Sequence, residues 1–408
     1  MDGKLALELS YEQEKMLRGE RGDAVQLAME ILTKEGESAG ADALVPIRSA
    51  HVQAHYGRES DNGLAIMEKF AGAGGRFAVP TTVEPLGIDL ENWRRFGVPN
   101  AFAEKQLRLR DAYARLGGIP CWTCVQYQVC NFPKKGEAVA WSGSSSVVFA
   151  NSLIGCRTNR MKVGLDLACA VTGLTPRCGM LVDENRTAKI SFKIELDRIG
   201  DLDYRTMGFF IGKIARARVP ALEGLPPSVT SDHLKHLGAS AATAGPVDMI
   251  HYVGVTPQSE TLQRATGGDA AERIGIGRRE LEEVEKDLDQ TDEKPDLVAL
   301  GTPHLSVNEL GQVERLLQGR KLLPGIRMFV YTSSEAYALS EMSGIRRGIE
   351  RAGGRLSHTT DGEISPLRQL GFKIVATDSA KMASSVAEDR VKVSYKPLNR
   401  IIEEVTRK

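Results

Sequence analysis

The sequence has no long apolar run. No hydrophobic stretch approaches the ~18–20 residues that a membrane-spanning helix requires, which argues against an integral membrane protein. The N-terminal segment lacks a basic region followed by an apolar one, so a secretory signal peptide is not expected. Six cysteines in 408 residues are too few to predict a disulfide framework. Together these absences predict a cytoplasmic protein.

The sequence also has no excess of positive or of negative charge. The chain has 53 basic and 53 acidic residues, for a formal net charge of +0. A balanced chain has no overall electrostatic footprint for nucleic acid or for an anionic membrane surface. We therefore predict neither of them as a partner.

What the chain does have is length and glycine. A chain of 408 residues is too long for one ordinary hydrophobic core, so two or three domains are expected. Glycine accounts for 41 residues, above the usual ~7% of a globular protein. Many tight turns between short elements would explain this content, as in α/β folds.

The C-terminal third shows the clearest pattern, an alternation of strands and helices. The predicted strands and helices are 296–301, 306–317, 328–332, 333–352 and 372–376. Ser306 is a predicted N-cap with Glu309 three residues later, the spacing of a capping box. Such a series is typical of parallel sheets covered by helices, so we predict three-layer αβα domains.

A charged segment separates this part from the rest. Residues 278–294 predict a helix followed by a solvated linker. We therefore predict an α/β region over residues 1–290, made of two intertwined domains, and a C-terminal α/β domain over residues 291–408. Residues 179–195 are predicted to be rich in strand.

Three clustered cysteines form the first candidate site. Cys121, Cys124 and Cys130 have C-x2-C-x5-C spacing, and their thiolates could hold a soft metal or an iron–sulfur cluster. The spacing matches no strong zinc pattern. The alternative is that they are small buried hydrophobic residues.

Anion-binding groups follow the cysteines. Ser144 and Ser145 belong to a serine run that predicts a loop entering a buried helix, with backbone N–H groups available to an anion. Arg157, Asn159 and Arg160 offer forked donors for a carboxylate or a phosphate. The alternative for the arginines is structural pairing with carboxylates of the core.

Other polar residues stand at predicted strand or helix ends. Thr81 and Thr82 could donate hydroxyls or simply end a strand. His51 follows a strand, where catalytic groups of open α/β sheets often lie, although a lone histidine is commonly structural. Lys381, two residues after Ser379, could bind an anion as a point charge, or be a surface lysine.

Taken together, the motifs resemble the aconitase X family, in particular its large catalytic subunit, nearly end to end. The matching segments are 12–22, 49–52, 79–90, 104–106, 123–127, 140–145, 150–160, 183–186, 254–257, 301–304 and 378–381. The most specific is Asn151 to Arg160, NSLIGCRTNR.

This resemblance implies an aconitase-like fold of three α/β domains and a hydro-lyase activity. Family members dehydrate small hydroxy acids, namely cis-3-hydroxy-L-proline in bacteria and 5-phosphomevalonate in archaea. A smaller swivelling domain closes the site, and here it is expected as a separate small subunit. The family also implies an iron–sulfur cluster held by cysteines, whose open iron polarises the leaving hydroxyl.

The resemblance also assigns roles to residues. Ser144, Ser145, His51 and Lys381 are the expected catalytic residues, and Cys124 the expected cluster ligand. The expected substrate-binding residues are Thr81, Thr82, Asn151, Arg157, Asn159, Arg160 and Ser379. The general base could instead come from the small subunit.

The chain departs from the family at the expected cluster ligands. Thr360 stands where a second cysteine is expected, and a third is missing from residues 397–402. Cys121, Cys130, Cys156 or Cys178 could substitute. The hypotheses are a dehydratase with a rearranged cluster, one that uses another metal or none, and a non-catalytic paralogue that binds a small anionic ligand or a partner.

Overall fold

The protein is described from a computed structural model, which covers residues 7–53, 61–269 and 272–408. Helices and short strands alternate along the chain and form three regions, each with its own parallel sheet. The predicted α/β class is thereby confirmed. Within the described residues, no helix combines the length and the apolar character needed to cross a bilayer.

The N-terminal region is built on a three-stranded parallel sheet. Its elements are α1 (Tyr11–Leu17), α2 (Asp23–Ala39), β1 (Leu44–Pro46), β2 (Ala50–Val52), α3 (Asn62–Gly72), β3 (Thr81–Val83), α4 (Asn100–Leu116), α5 (Gln126–Val129), β4 (Ala140–Trp141), α6 (Ser144–Phe149), a π-helical turn (Ala150–Ile154), α7 (Leu165–Thr172) and β5 (Leu174–Pro176). The strand order is β3-β2-β4, and β1 pairs with β5 in antiparallel fashion. Buried side chains of α2, α3, α4 and α7 form the core of this region.

The middle region carries a four-stranded parallel sheet. After two 3-10 turns (Gly179–Leu181 and Asp183–Arg186), its elements are β6 (Ile190–Ile194), α8 (Asp201–Ala215), β7 (Pro220–Glu223), α9 (Ser231–Ala244), β8 (His251–Tyr252), α10 (Leu262–Thr266), β9 (Glu272–Ile276) and α11 (Arg278–Leu288). The order is β8-β7-β6-β9. The prediction of a strand-rich segment over 179–195 was wrong for its first half, where short 3-10 turns replace strands.

The C-terminal region is a three-layer structure around a five-stranded parallel sheet. Its elements are β10 (Leu297–Leu305), α12 (Val307–Leu317), β11 (Lys321–Leu322), β12 (Arg327–Thr332), α13 (Ser334–Met342), α14 (Ile345–Ala352), β13 (Arg355–Ser357), β14 (Ile374–Thr377), α15 (Ala380–Glu388), β15 (Lys392–Tyr395), α16 (Leu398–Val405) and β16 (Thr406–Arg407). The order is β13-β12-β10-β14-β15, with β11 and β16 as a separate antiparallel pair.

Alternation along β10 explains the three layers. Leu297 and Ala299 pack into one hydrophobic cluster, and Val298 and Leu300 pack into another on the opposite face. Side chains of a strand alternate between its two faces, so this sheet is covered on both sides. The predicted capping box is confirmed, because Ser306 caps α12 and pairs reciprocally with Glu309.

The charged segment lies between the last two sheets. The four-stranded sheet ends with β9, α11 occupies the first part of residues 278–294, and the next sheet begins with β10. The division into residues 1–290 and 291–408 stays a prediction. What matters for the site is that strands from the N-terminal and C-terminal regions end around one cavity.

Candidate active site

A cavity of about 230 Å³ lies where loops of the N-terminal and C-terminal regions meet. It is lined by Gln53, Glu84, Pro85, Cys124, Gly143, Ser144, Ser145, Ser146, Arg160, Met161, Asp361, Glu363, Ile364 and Lys381. Glu84 directly follows β3, and Lys381 lies in the first turn of the helix after β14. Sites at the carboxyl ends of parallel strands are the common pattern in α/β proteins.

Lys381 places a buried positive charge in the cavity wall. Its Nζ lies 2.9 Å from Glu363 Oε2 and donates a hydrogen bond of 3.2 Å to Ser145 Oγ. Burial alone lowers the pKa of Lys381, but the charges of Glu363 and Asp361 raise it above the usual range. The side chain is therefore an ammonium that can meet an anion.

The serine segment presents only part of its hydroxyls to the cavity. Ser142 donates a hydrogen bond of 2.6 Å to Asp166 Oδ2, and Ser146 donates one of 3.1 Å to the Cys124 carbonyl oxygen. These two hydroxyls hold the backbone in place. Ser145 is the serine that contacts Lys381, and it lies at the start of α6.

Glu84 and His51 form a second group beside the cavity. The Thr82 hydroxyl donates to the Ala50 carbonyl oxygen (3.3 Å) and accepts from Asn131 Nδ2 (3.1 Å). Its remaining lone pair therefore accepts from His51 Nδ1, 2.8 Å away. His51 Nε2 lies 3.3 Å from Glu84 Oε1 but forms no hydrogen bond among the described residues. A proton on either atom would allow a hydrogen bond between His51 Nε2 and Glu84 Oε1.

Cys124, His304 and Asp361 bring three potential metal ligands together. A sulfur, a ring nitrogen and a carboxylate oxygen lie within 4.8 Å of one another, and all three residues are buried. The Cys124 thiol lies 3.5 Å from Asp361 Oδ2, and the His304 backbone N–H donates to Cys124 Sγ at 3.4 Å. Burial, with the charge of Asp361, raises the pKa of Cys124, so the thiol stays neutral unless a cation is bound.

Known proteins are similar to this chain over nearly its whole length. Family models for the first, second and third domains of aconitase X match residues 6–184, 188–286 and 295–407. The chain belongs to the aconitase X family. The predicted aconitase-like fold is confirmed by the crystal structure of Thermococcus kodakaraensis aconitase X in its holo-form, with a TM-score of 0.90 and 32% identity, over 98% of this chain and 100% of that one.

Curated relatives are similar over most of the chain. The phosphomevalonate dehydratase large subunit of Methanocaldococcus jannaschii is 36% identical over 384 residues, 92% of this chain and 94% of that protein. The cis-3-hydroxy-L-proline dehydratase of Pseudomonas aeruginosa is 35% identical over 374 residues. That match covers 90% of this chain and 64% of the longer relative.

The other cysteines do not join Cys124, in contrast to what an aconitase X cluster would require. The Cys121 and Cys130 thiols contact each other, and the hydrogen bond from Cys130 lowers the pKa of Cys121 to about 7. Cys156 donates to the Ala150 carbonyl oxygen at 3.4 Å. All six cysteines are described, and none besides Cys124 belongs to the ligand group.

The positions of Cys178 and Thr360 also bear on the cluster ligands expected from the family resemblance. The Cys178 thiol lies 3.6 Å from Asn159 Nδ2, outside the cavity lining. The Thr360 side chain turns to Ser365 Oγ, 3.2 Å away. The carboxylate of Asp361, the next residue in the sequence, lies 3.5 Å from the Cys124 thiol.

Two predicted substrate-binding amides form hydrogen bonds within the fold of this chain. Asn151 is fully buried, its Nδ2 donates to the Thr158 carbonyl oxygen (2.8 Å), and its Oδ1 accepts from Thr158 N–H (3.1 Å) and Arg186 (3.1 Å). Asn159 donates to the Cys178 carbonyl oxygen (3.0 Å). Neither lines the cavity. Their polar atoms are used in hydrogen bonds within the chain, and their role in substrate binding stays a prediction.

The two predicted arginines differ in position. Arg157 lies 2.5 Å from Asp183 and outside the cavity lining, so it pairs with a carboxylate. Arg160 does line the cavity, but its Nε donates to Asp248 at 3.1 Å and its other nitrogens donate to backbone carbonyls. Lys381 is therefore better placed than either arginine to meet an anion.

The predicted hydroxyl donors end or begin secondary structure. Thr81 donates to the Val79 carbonyl oxygen (2.9 Å), and Thr82 orients His51. Ser379 caps α15 by accepting from Met382 N–H (3.1 Å). None of the three lines the cavity, because their oxygens are held by neighbouring backbone and side-chain groups.

Sequence reasoning did not single out four residues of the site. They are Glu84, His304, Asp361 and Glu363. Glu84 and His304 stand inside motifs that resemble the family, and Glu84 directly follows a strand, which is the available signal. No local pattern marks Asp361 or Glu363, because their partners are far away in the sequence.

Proposed function

We propose that this chain is the large subunit of an aconitase X dehydratase, a hydro-lyase that removes water from a small hydroxy acid with a carboxylate or phosphate. The observation that carries the proposal is the buried Lys381 ammonium bonded to Ser145 inside the cavity. The relatives named as dehydratases support the reaction class.

The cavity suits a small anionic substrate. Its volume of about 230 Å³ lies below the ~300–1,000 Å³ typical of pockets for drug-sized ligands. Lys381 supplies the positive charge, and Ser144 a polar rim. Substrates of the class represented by cis-3-hydroxy-L-proline and 5-phosphomevalonate fit this description, since each carries an anionic group near a hydroxyl.

The residues support an elimination by proton transfer. Dehydration breaks a C–H and a C–O bond, forms a double bond and releases water. Glu84, which lines the cavity, takes the carbon-bound proton, while the Lys381 ammonium and the Ser145 hydroxyl it contacts stabilise the negative charge that develops on the anionic part of the substrate. That proton is shared between Glu84 Oε1 and His51 Nε2 and then passes to the leaving hydroxyl, so water is released and both groups return to their starting state.

An iron–sulfur cluster does not fit the residues present. Clusters in proteins are held mainly by several cysteine thiolates. Cys124 has an aspartate and a histidine as neighbours and no second thiol. Only one of the cysteine ligands expected for the family's cluster is therefore present at this site. No step of the proposed elimination passes through a cluster.

A small swivel-domain subunit is the proposed partner. Several relatives are named as large subunits, among them those from Methanocaldococcus jannaschii and Methanothermobacter thermautotrophicus. A second subunit that covers the cavity would exclude bulk water from the elimination. We also place the enzyme in the cytoplasm, in line with its six unpaired cysteines.

The test is direct. The chain is co-purified with a small swivel-domain subunit and incubated separately with cis-3-hydroxy-L-proline and 5-phosphomevalonate, and the dehydrated product is measured by NMR. Turnover of one substrate supports the proposal. Thermal stabilisation by both compounds without product would instead identify a non-catalytic paralogue that binds small anions.

A further inference from the structure

A group of three buried donors stands where the cluster does not fit. Cys124 offers sulfur, His304 nitrogen and Asp361 oxygen, within 4.8 Å of one another. Two of the three residues, Cys124 and Asp361, also line the cavity that contains Lys381. The donors come from different parts of the chain, so their convergence is a property of the tertiary structure.

The hydrogen bonds of His304 leave Nδ1 as the ring nitrogen with a lone pair. Its Nε2 lies 3.0 Å from the Thr360 carbonyl oxygen, which can only accept, so the proton is on Nε2. Nδ1 then carries the lone pair and faces the Thr123 hydroxyl at 3.0 Å. Metal-binding histidines usually donate their second ring N–H to a carbonyl or carboxylate in this way.

The hydrogen bonds of Asp361 also leave one oxygen for the group. Oδ1 accepts from the Thr302 hydroxyl (2.5 Å) and from the Glu363 backbone N–H (2.9 Å). Oδ2 faces the Cys124 thiol. These two hydrogen bonds to Oδ1 orient the carboxylate, in the way that residues next to a metal site orient its carboxylate ligands.

We propose that Cys124, His304 and Asp361 bind one borderline divalent transition-metal ion, zinc or ferrous iron, in place of the family's iron–sulfur cluster. A mixed sulfur, nitrogen and oxygen set suits such ions. On binding, the cation displaces the Cys124 thiol proton to solvent, and the Thr123 hydroxyl turns away from Nδ1. Three protein ligands are typical of catalytic zinc sites, where a further position takes water or substrate.

This inference deepens the proposed function, because it concerns the same cavity. The metal site and the dehydratase function can be contradicted independently of each other. Metal binding without turnover of either substrate would overturn the dehydratase and leave the metal site. Turnover that survives complete metal removal by a chelator would overturn a role for the ion in the reaction.

The binding experiment uses cobalt(II) as a spectroscopic probe on the full chain under anaerobic conditions. We expect one cobalt per chain with a thiolate-to-cobalt charge-transfer band. Cys124→Ser abolishes the band, and Asp361→Asn weakens cobalt binding at least 10-fold. Thr302→Val removes the hydrogen bond to Asp361 Oδ1 and the weak contact with Met382 Sδ, and it weakens binding about 10-fold, within the ~10–100-fold range for outer-shell partners.

Matched cysteine variants make the experiment decisive. Cys156→Ser and Cys121→Ser remove thiols outside the group and leave the band unchanged. A band lost in Cys121→Ser but kept in Cys124→Ser would overturn the site in favour of the Cys121 and Cys130 pair. If Cys124→Ser does not fold, Asp361→Asn and Thr302→Val decide, and unchanged affinity in both contradicts the proposal.

Elemental analysis of the protein as purified identifies the natural ion. We expect about one zinc or iron per chain with no acid-labile sulfide. Iron accompanied by equal sulfide would show a cluster and overturn the single-ion site. Zinc and ferrous iron are distinguished by the same measurement.

Discussion

At the scale of single residues, the cavity depends on buried charges that are stabilised by specific partners. An isolated buried ammonium would lose its proton, but Glu363 lies 2.9 Å from Lys381 and keeps it charged. The same principle applies in reverse to Cys124, whose burial beside Asp361 keeps the thiol neutral. Substitution of such residues is therefore expected to affect chemistry before it affects folding.

Lys381→Met is expected to lower kcat by about 10²- to 10³-fold, the usual contribution of one donor that stabilises developing charge. The physical reason is that the substrate loses the cation that stabilises its developing negative charge. Lys373→Met is the matched control, since Lys373 is exposed in the same region and is expected to keep wild-type kcat. Equal kcat values for the two variants would contradict the role of Lys381.

Asp166 is a buried carboxyl that titrates near neutrality. Its oxygens accept hydrogen bonds from Ser142 Oγ and from the backbone N–H groups of Gln53, Gly164 and Leu167. Burial nevertheless dominates and raises its pKa to about 6. The folded protein therefore takes up a proton at a pH where the unfolded chain, with an ordinary pKa of about 3.9, does not.

This uptake makes the stability contribution of Asp166 depend on pH. Because the folded-state pKa is raised, the contribution is fully present below the unfolded pKa and is lost as the pH rises through 6. The free energy of unfolding of the wild type, relative to Asp166→Asn, should rise by about 2–3 kcal/mol from pH 7 to pH 4. Urea unfolding across this range measures it, and a constant difference would contradict the raised pKa.

At the scale of elements, the turn between β4 and α6 sets the positions of Glu84 and the serines. Gly143 has φ +82°, and a Cβ built on it would overlap Glu84 Oε1. Only glycine leaves room for the carboxylate at this point. The backbone conformation of this turn therefore determines where the Glu84 carboxylate can lie.

Gly143→Ala is expected to lower kcat at least 10-fold by displacing Glu84, besides the ~1–3 kcal/mol cost of a non-glycine residue at positive φ. Gly97→Ala is the matched control, because Gly97 has φ +79° and no atom within 4 Å of a built Cβ. Both variants should lose stability in thermal unfolding. If both also keep wild-type kcat, the position of Glu84 does not matter for the reaction.

At the scale of the whole molecule, a buried ionic network joins the middle region to the site. Lys235 of α9 forms an ion pair with Glu309 of α12 and donates to the His304 carbonyl oxygen at 3.1 Å. His236 also contacts Glu309. Although burial raises the pKa of Glu309, Lys235 and His236 lower it well below the usual range. This network therefore holds the backbone of His304, whose N–H donates to Cys124 Sγ.

Glu309→Gln is expected to destabilise the protein by about 3–5 kcal/mol, since it leaves Lys235 buried without its main counter-charge. Glu403→Gln, at an exposed position of α16, is expected to stay within about 0.5 kcal/mol of the wild type. Thermal unfolding measures both. Similar midpoints for the two variants would show that the network does not stabilise the junction.

The sequence by itself determined the α/β class, the helix caps and the family. These depend on short-range signals, such as Ser306 and Glu309 three residues apart, or on ordered motifs that survive along the chain. The serines, Lys381 and Cys124 were predicted for the site, and the cavity contains them. Asn151, Arg157 and Asn159 stand in the most specific motif, yet their hydrogen bonds serve the fold.

Only the tertiary structure decided what surrounds those residues. Cys124 meets Asp361 across 237 positions of sequence and His304 across 180, and Lys381 meets Ser145 across 236. Hydrogen-bond partners and ligand distances depend on how separate sheets pack, which no local spacing encodes. For that reason the clustered cysteines suggested a thiolate site, whereas the fold surrounds Cys124 with a carboxylate and an imidazole.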